Sequence, residues 1–126
     1  MRLFKLSLIA FAATLLASCS TTKTLEEQLL ALDNVKSVEK MESSEFGQKY
    51  ILIFEQPIDH KDPSKGTFTQ RVFLGHVHTD SASVVVAEGY GAQYAARTGY
   101  RDEISKLYNT NNIVVEHRYF LESTPY

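Results

Sequence analysis

An α/β fold is the class this sequence predicts, and three features carry the prediction. The middle of the chain reads as strands: Tyr50-Ile51-Leu52-Ile53-Phe54, then Phe68 to about His78, then Ser83-Val84-Val85-Val86-Ala87. A helix pattern at about 101–108 follows, after an irregular glycine-containing stretch. A β-branched run, Ile113-Val114-Val115-Glu116, comes directly after that helix. Two strands joined through a helix imply a parallel, right-handed crossover. The expected architecture is antiparallel strands that open a sheet, then a β-loop-α-β unit, with the sheet left incomplete.

In chain order, residues 1–18 come first. Arg2 and Lys5 form a cationic start, Leu6 to Leu16 is apolar apart from Ser7 and Thr14, and Leu16-Ala17-Ser18-Cys19 follows. This is a positive n-region, an apolar h-region of roughly 11 residues and a small-residue cleavage site. The apolar run falls short of the about 20 residues a permanent span needs. Leu-Ala-Ser-Cys resembles the lipobox of bacterial lipoproteins, so Cys19 is expected to carry a lipid after cleavage. Ser20, rather than Asp, follows it, which favours the outer membrane or cell surface.

Cys19 is the single cysteine, so no intrachain disulfide is possible. The chain has 13 basic and 15 acidic residues and a net charge of −2, and losing Arg2 and Lys5 makes it more acidic. Such a balance argues against a nucleic-acid partner. No cofactor is expected.

Residues 19–45 read as a tether and a short helix. Thr24-Leu25-Glu26-Glu27 has the capping-box spacing, and Leu25, Leu29, Leu30 and Leu32 lie mostly on one face, giving a helix at about 24–33. Asn34 is its expected stop. Gln56 to Gly66 is a connector punctuated by Pro57, Pro63 and Gly66. In the next strand Phe68, Gln70, Val72 and Leu74 share one face, and Thr69, Arg71 and Phe73 the other. Asp80-Ser81 turns the chain into Ser83–Ala87, whose continuous β-branched run suits a central strand covered on both faces. The helix at about 101–108 ends at Asn109 to Asn112.

Three blocks now combine: Phe54-Glu55-Gln56-Pro57-Ile58-Asp59-His60, then Gly66-Thr67-Phe68-Thr69-Gln70-Arg71-Val72, then Val115-Glu116-His117-Arg118-Tyr119-Phe120. Together they resemble the start of the secreted tripeptidyl aminopeptidases, α/β-hydrolase serine peptidases related to prolyl carboxypeptidase and the dipeptidyl peptidases. The resemblance covers about 50–120. It implies that 46–126 is the N-terminal part of a peptidase domain whose substrates are peptides with free N-termini. In that fold the loop after a strand such as Ser83–Ala87 donates a backbone N–H to the oxyanion hole. Gly89 and Tyr90 are the candidate donors; the alternative is a flexible turn that needs glycine for its own sake. Glu88 is a candidate for holding a substrate ammonium, with a structural pairing to Arg97, Arg101 or Arg118 as the alternative.

His117 precedes any possible nucleophile, whereas the catalytic His of such enzymes comes late in the chain. It is therefore read as structural, with Glu116 and Arg118 expected to form an ion pair beside it. His60 is read as a loop residue. No Gly-x-Ser-x-Gly occurs in the 126 residues. Nucleophile, acid and base are thus absent, and the chain is expected to be a fragment of a longer enzyme and inactive alone. The last strand is expected to form an open edge exposing Ile113, Val114 and Val115, an aggregation hazard.

Two rivals remain. His76-Val77-His78-Thr79-Asp80 looks like part of a metallo-hydrolase motif, with alternation placing His76, His78 and Asp80 on one face. A catalytic zinc typically needs three protein ligands plus water, and Ser81 stands where that motif has another histidine, so no metal is expected. The other rival is a small surface lipoprotein with a binding or structural role.

Overall fold

The computed structural model describes residues 22–125. The leader and Cys19 lie outside them. Helix α1, Leu25–Leu30, starts with the capping box read from the sequence. Thr24 Oγ1 accepts the Glu27 N–H at 3.2 Å, and Glu27 Oε2 accepts the Thr24 N–H at 2.7 Å. The helix stops short of the expected end, with Ala31 as its cap. Asn34 turns the chain instead, at φ 65°.

That turn launches strand β1, Val35–Met41, which the sequence did not reveal. Its partly buried residues recur every third position, not every second. A register shift between Val35 and Ser37 accounts for the first step, while Val38 and Met41 lie in regular register on opposite faces, and Lys36, Glu39 and Lys40 suit a sheet edge. Strand β2, Gln48–Pro57, pairs antiparallel with β1 and with β3, Thr67–His76. Strands β4, Ser83–Ala87, and β5, Asn111–Val115, follow, separated by helix α2, Glu103–Tyr108. Asp102 caps α2 and Asn109 ends it in the left-handed conformation at φ 51°.

The sheet order is β1-β2-β3-β5-β4, with β4 and β5 parallel and every other pair antiparallel. The parallel crossover is as expected, but the position of its two strands is reversed. β4, read as central, is the outer edge, with Val85 60% exposed. β5, read as the open edge, lies between β3 and β4, with Val114 1% exposed. Both strands are β-branched, so composition could not order them. The polar start of β5 does so: Asn111 Oδ1 accepts the Val77 N–H at 2.8 Å, and its Nδ2 donates to His78 O at 2.9 Å. Asn112 Oδ1 accepts the Asp102 N–H at 2.9 Å.

One face of the sheet is dry. Phe73 and Val114 pack there with Ala92 and Ala95 from the segment after β4, and Met41, Ile51, Val86, Tyr94 and Tyr100 surround them. Across the opposite face the register sets Leu74, Ile113 and Val85 in one row, which opens progressively towards Val85. Phe46 lies flat against Gly75, where an added Cβ would meet its ring at 2.3 Å. The Arg101 guanidinium is 4.7 Å from the centre of the Phe46 ring.

Candidate functional site

The site begins where β4 ends. Glu88 N–H donates to Val115 O at 3.1 Å, His117 N–H to Tyr90 O at 3.2 Å, and Ala92 N–H to Glu116 Oε2 at 2.9 Å. Three bonds thus fix the Glu88–Ala92 loop to the end of β5 and the two residues that follow it. Between the fixed points, the N–H groups of Gly89, Tyr90 and Gly91 donate to no partner among the described residues. The two glycines differ. A Cβ on Gly89 would meet nothing within 4 Å, whereas one on Gly91 would lie 2.3 Å from Leu121 Cδ1 and 2.7 Å from Gln93 Oε1. Close packing therefore demands glycine at 91, a position sequence reasoning did not single out.

Tyr90 is 71% exposed and meets Phe120 edge-on at 5.4 Å. Phe120 in turn meets His117 edge-on at 5.6 Å. The His117 ring is at the surface, its Nδ1 2.6 Å from Arg118 O. His60 is exposed in the connector between β2 and β3. A cleft of about 240 Å³ opens beside the loop, between Gln70, Glu88, Val115, His117 and Arg118.

Glu88 is half-buried and its carboxylate accepts the Tyr94 hydroxyl proton. Burial pushes the Tyr94 phenol up, and the carboxylate that holds its proton adds to that. None of the three arginines considered as partners pairs with Glu88, and the side chains of Arg101 and Arg118 are engaged elsewhere. Arg101 Nη2 donates to Ser105 O and to Asn109 Oδ1, each at 3.0 Å, and Arg118 Nη2 to Ile58 O at 2.8 Å. Arg97 uses its carbonyl, which accepts Lys49 Nζ at 2.7 Å.

Glu116 does not pair with Arg118, contrary to expectation. It is fully buried and meets Arg71 Nη2 at 2.7 Å. The β3–β5 register explains the exchange: with Val72 opposite Val115, Arg71 comes beside Glu116, whereas Arg118 lies past the end of β5. There Arg118 stacks 4.9 Å from the centre of the Phe68 ring. Ser123 completes the cluster: its Oγ donates to Glu116 Oε1 at 2.9 Å and accepts the Arg71 N–H at 3.0 Å. Burial pushes the Glu116 carboxyl up, but hydrogen bonds from Arg71, Ala92 and Ser123 outweigh it and hold the group below its ordinary range. Neither Arg71 nor Ser123 was singled out from sequence; both are far from Glu116 along the chain or in an irregular segment.

The His76, His78 and Asp80 pattern is not realised as alternation, because β3 ends at His76. His78 Nδ1 lies 3.8 Å from Asp80 Oδ2 in an exposed turn. His76 is half-buried, and burial, with His78 nearby, pushes its pKa down.

The family model of PS-10 peptidase S37 matches residues 20–126. The chain is also 32% identical over 102 residues to a prolyl tri/tetrapeptidyl aminopeptidase of Streptomyces mobaraensis. That alignment covers 80% of this chain and 20% of the relative, so the chain spans about a fifth of the relative's length.

Proposed function

The chain belongs to the PS-10 peptidase S37 family, and from that premise we propose that it supplies the N-terminal sheet and oxyanion loop of an α/β-hydrolase serine peptidase. This enzyme would release short peptides from free N-termini. The observation that carries the reading is the run of unengaged N–H groups that includes Gly89 and Tyr90, held between three fixed hydrogen bonds. Donors aimed in advance at a developing oxyanion stabilise the tetrahedral intermediate by about 3–4 kcal/mol each. They cost nothing to reorganise during reaction.

In this scheme the serine nucleophile, acid and base come from outside these 126 residues. The chain alone is inactive, since the oxyanion hole without the triad gives only residual catalysis. Glu88 receives the substrate ammonium: one carboxylate oxygen is occupied by Tyr94, and the carboxylate borders the cleft beside the loop. The lipid on Cys19 holds the protein at the bacterial envelope. The relative's name suggests that proline belongs to the recognised peptide.

The test compares prolyl tripeptide anilides with free and acetylated N-termini. It uses this chain and the product of its reading frame continued past the codon for Tyr126. Expected are no turnover by the chain alone and turnover by a continued product carrying Gly-x-Ser-x-Gly. Acetylation should abolish that turnover. Equal cleavage of both substrates would sink the ammonium role of Glu88. Turnover without labelling by a serine-directed phosphonate would sink the serine mechanism.

A further inference from the structure

The Glu116 carboxylate is fully buried, and it reaches three separate segments. Oε2 accepts Arg71 Nη2 from β3 at 2.7 Å and the Ala92 N–H from the glycine loop at 2.9 Å. Oε1 accepts Ser123 Oγ from the short 3-10 turn Leu121–Ser123 at 2.9 Å. That same turn places Leu121 against Gly91. The loop is therefore gripped from both ends of its second half, by a hydrogen bond at Ala92 and by packing at Gly91.

We propose that Glu116 is the positioning residue of the glycine loop, its two carboxylate oxygens fixing the direction of the Gly89 and Tyr90 N–H groups by locking Ala92 and the 121–123 turn together. The division of labour between the oxygens is specific. One sets the loop against β3; the other sets the turn that closes over Gly91. This role rests on the oxyanion reading for its purpose but not for its geometry. A residue that served only to stabilise the sheet would loosen everything equally when changed.

Hydrogen exchange of the full chain, followed by segment, separates these cases. In Glu116→Leu both accepting oxygens are lost while the side chain keeps a similar volume. Exchange in residues 88–96 and 120–124 should accelerate by at least about tenfold, the factor given by about 1.4 kcal/mol of lost hydrogen bonding. Residues 50–54 in β2 should not change. Ser123→Ala removes only the partner of Oε1, so it should loosen 120–124 while 88–96 keeps its protection. A uniform rise across β2, β3 and β5 in Glu116→Leu would overturn the proposal, as would unchanged exchange in 88–96. Identical patterns in the two variants would overturn the division between the oxygens. The readout needs no catalysis. Its failure therefore leaves the peptidase reading standing, and failure of the free-versus-acetylated substrate test leaves the lock standing.

Discussion

A charge with no access to water survives at Glu116 because Arg71 and two further donors replace its hydration. Removing the side chain in Glu116→Ala leaves Arg71 largely buried and unpaired, and chemical denaturation should show a loss of about 3–5 kcal/mol. The sign of its pH dependence follows from its lowered pKa. Its contribution is complete above the ordinary carboxylate range and is lost as pH falls through the lower folded-state value. Denaturation across the acid range should show that loss in the native chain and a flatter profile in Glu116→Gln.

Lys49 gives the opposite case. It is 2% exposed, with Nζ on a backbone carbonyl and its pKa lowered by burial. The unfolded chain then binds the proton more tightly, so stability should rise as pH climbs towards the lysine range, and Lys49→Met should flatten that rise. Neither group's state was legible from sequence. Glu116 was recognised as structural, but its partner lies 45 positions away along the chain, and no local pattern names it.

At the level of elements, glycines report how tightly segments meet. Gly75→Ala drives a Cβ into the Phe46 ring, which is itself held under Arg101. Thermal denaturation should show a loss of about 1–3 kcal/mol, the usual cost of overpacking. Gly91→Ala should be similarly destabilising, and Gly89→Ala nearly neutral, since only the first meets Leu121. The helices were legible because their caps are local: Thr24 with Glu27, Asp102 with Ile104, and Asn109 with its left-handed turn. β1 escaped because its partly buried residues do not alternate, the pattern on which strand reading depends. Asn111 and Asn112 looked like the end of a helix because Asn favours turns. They are strand residues whose amides serve the neighbouring turn and Asp102.

For the whole molecule, the exposed side of the sheet lies at β4. Val85 is 60% exposed there, and Ile104, Leu107 and Tyr108 of the adjoining α2 are also exposed. An unpaired apolar edge invites pairing with another chain. Val85→Lys should lower light scattering at elevated protein concentration without shifting the unfolding midpoint, whereas the same change at the buried Val114 should unfold the protein. The sequence reading assigned the open edge to β5, whereas it belongs to β4. Order across a sheet is a long-range property that two similar β-branched runs do not encode locally.

The placement of β5 between β3 and β4 also dictates a sequence of events in time. A chain made from its N-terminus can zip β1, β2 and β3 into a meander as soon as residue 76 is free. β4 follows next in the chain but has no hydrogen-bonding partner until residues 111–115 arrive as its only neighbour among the described residues. The expected order is that the late strand docks on β3 and β4 joins it, a non-local step that should set the pace of folding. Weakening the β3–β5 contact, as in Val72→Ala, should slow refolding. Val86→Ala, in the strand that joins last, should instead act mainly by hastening unfolding.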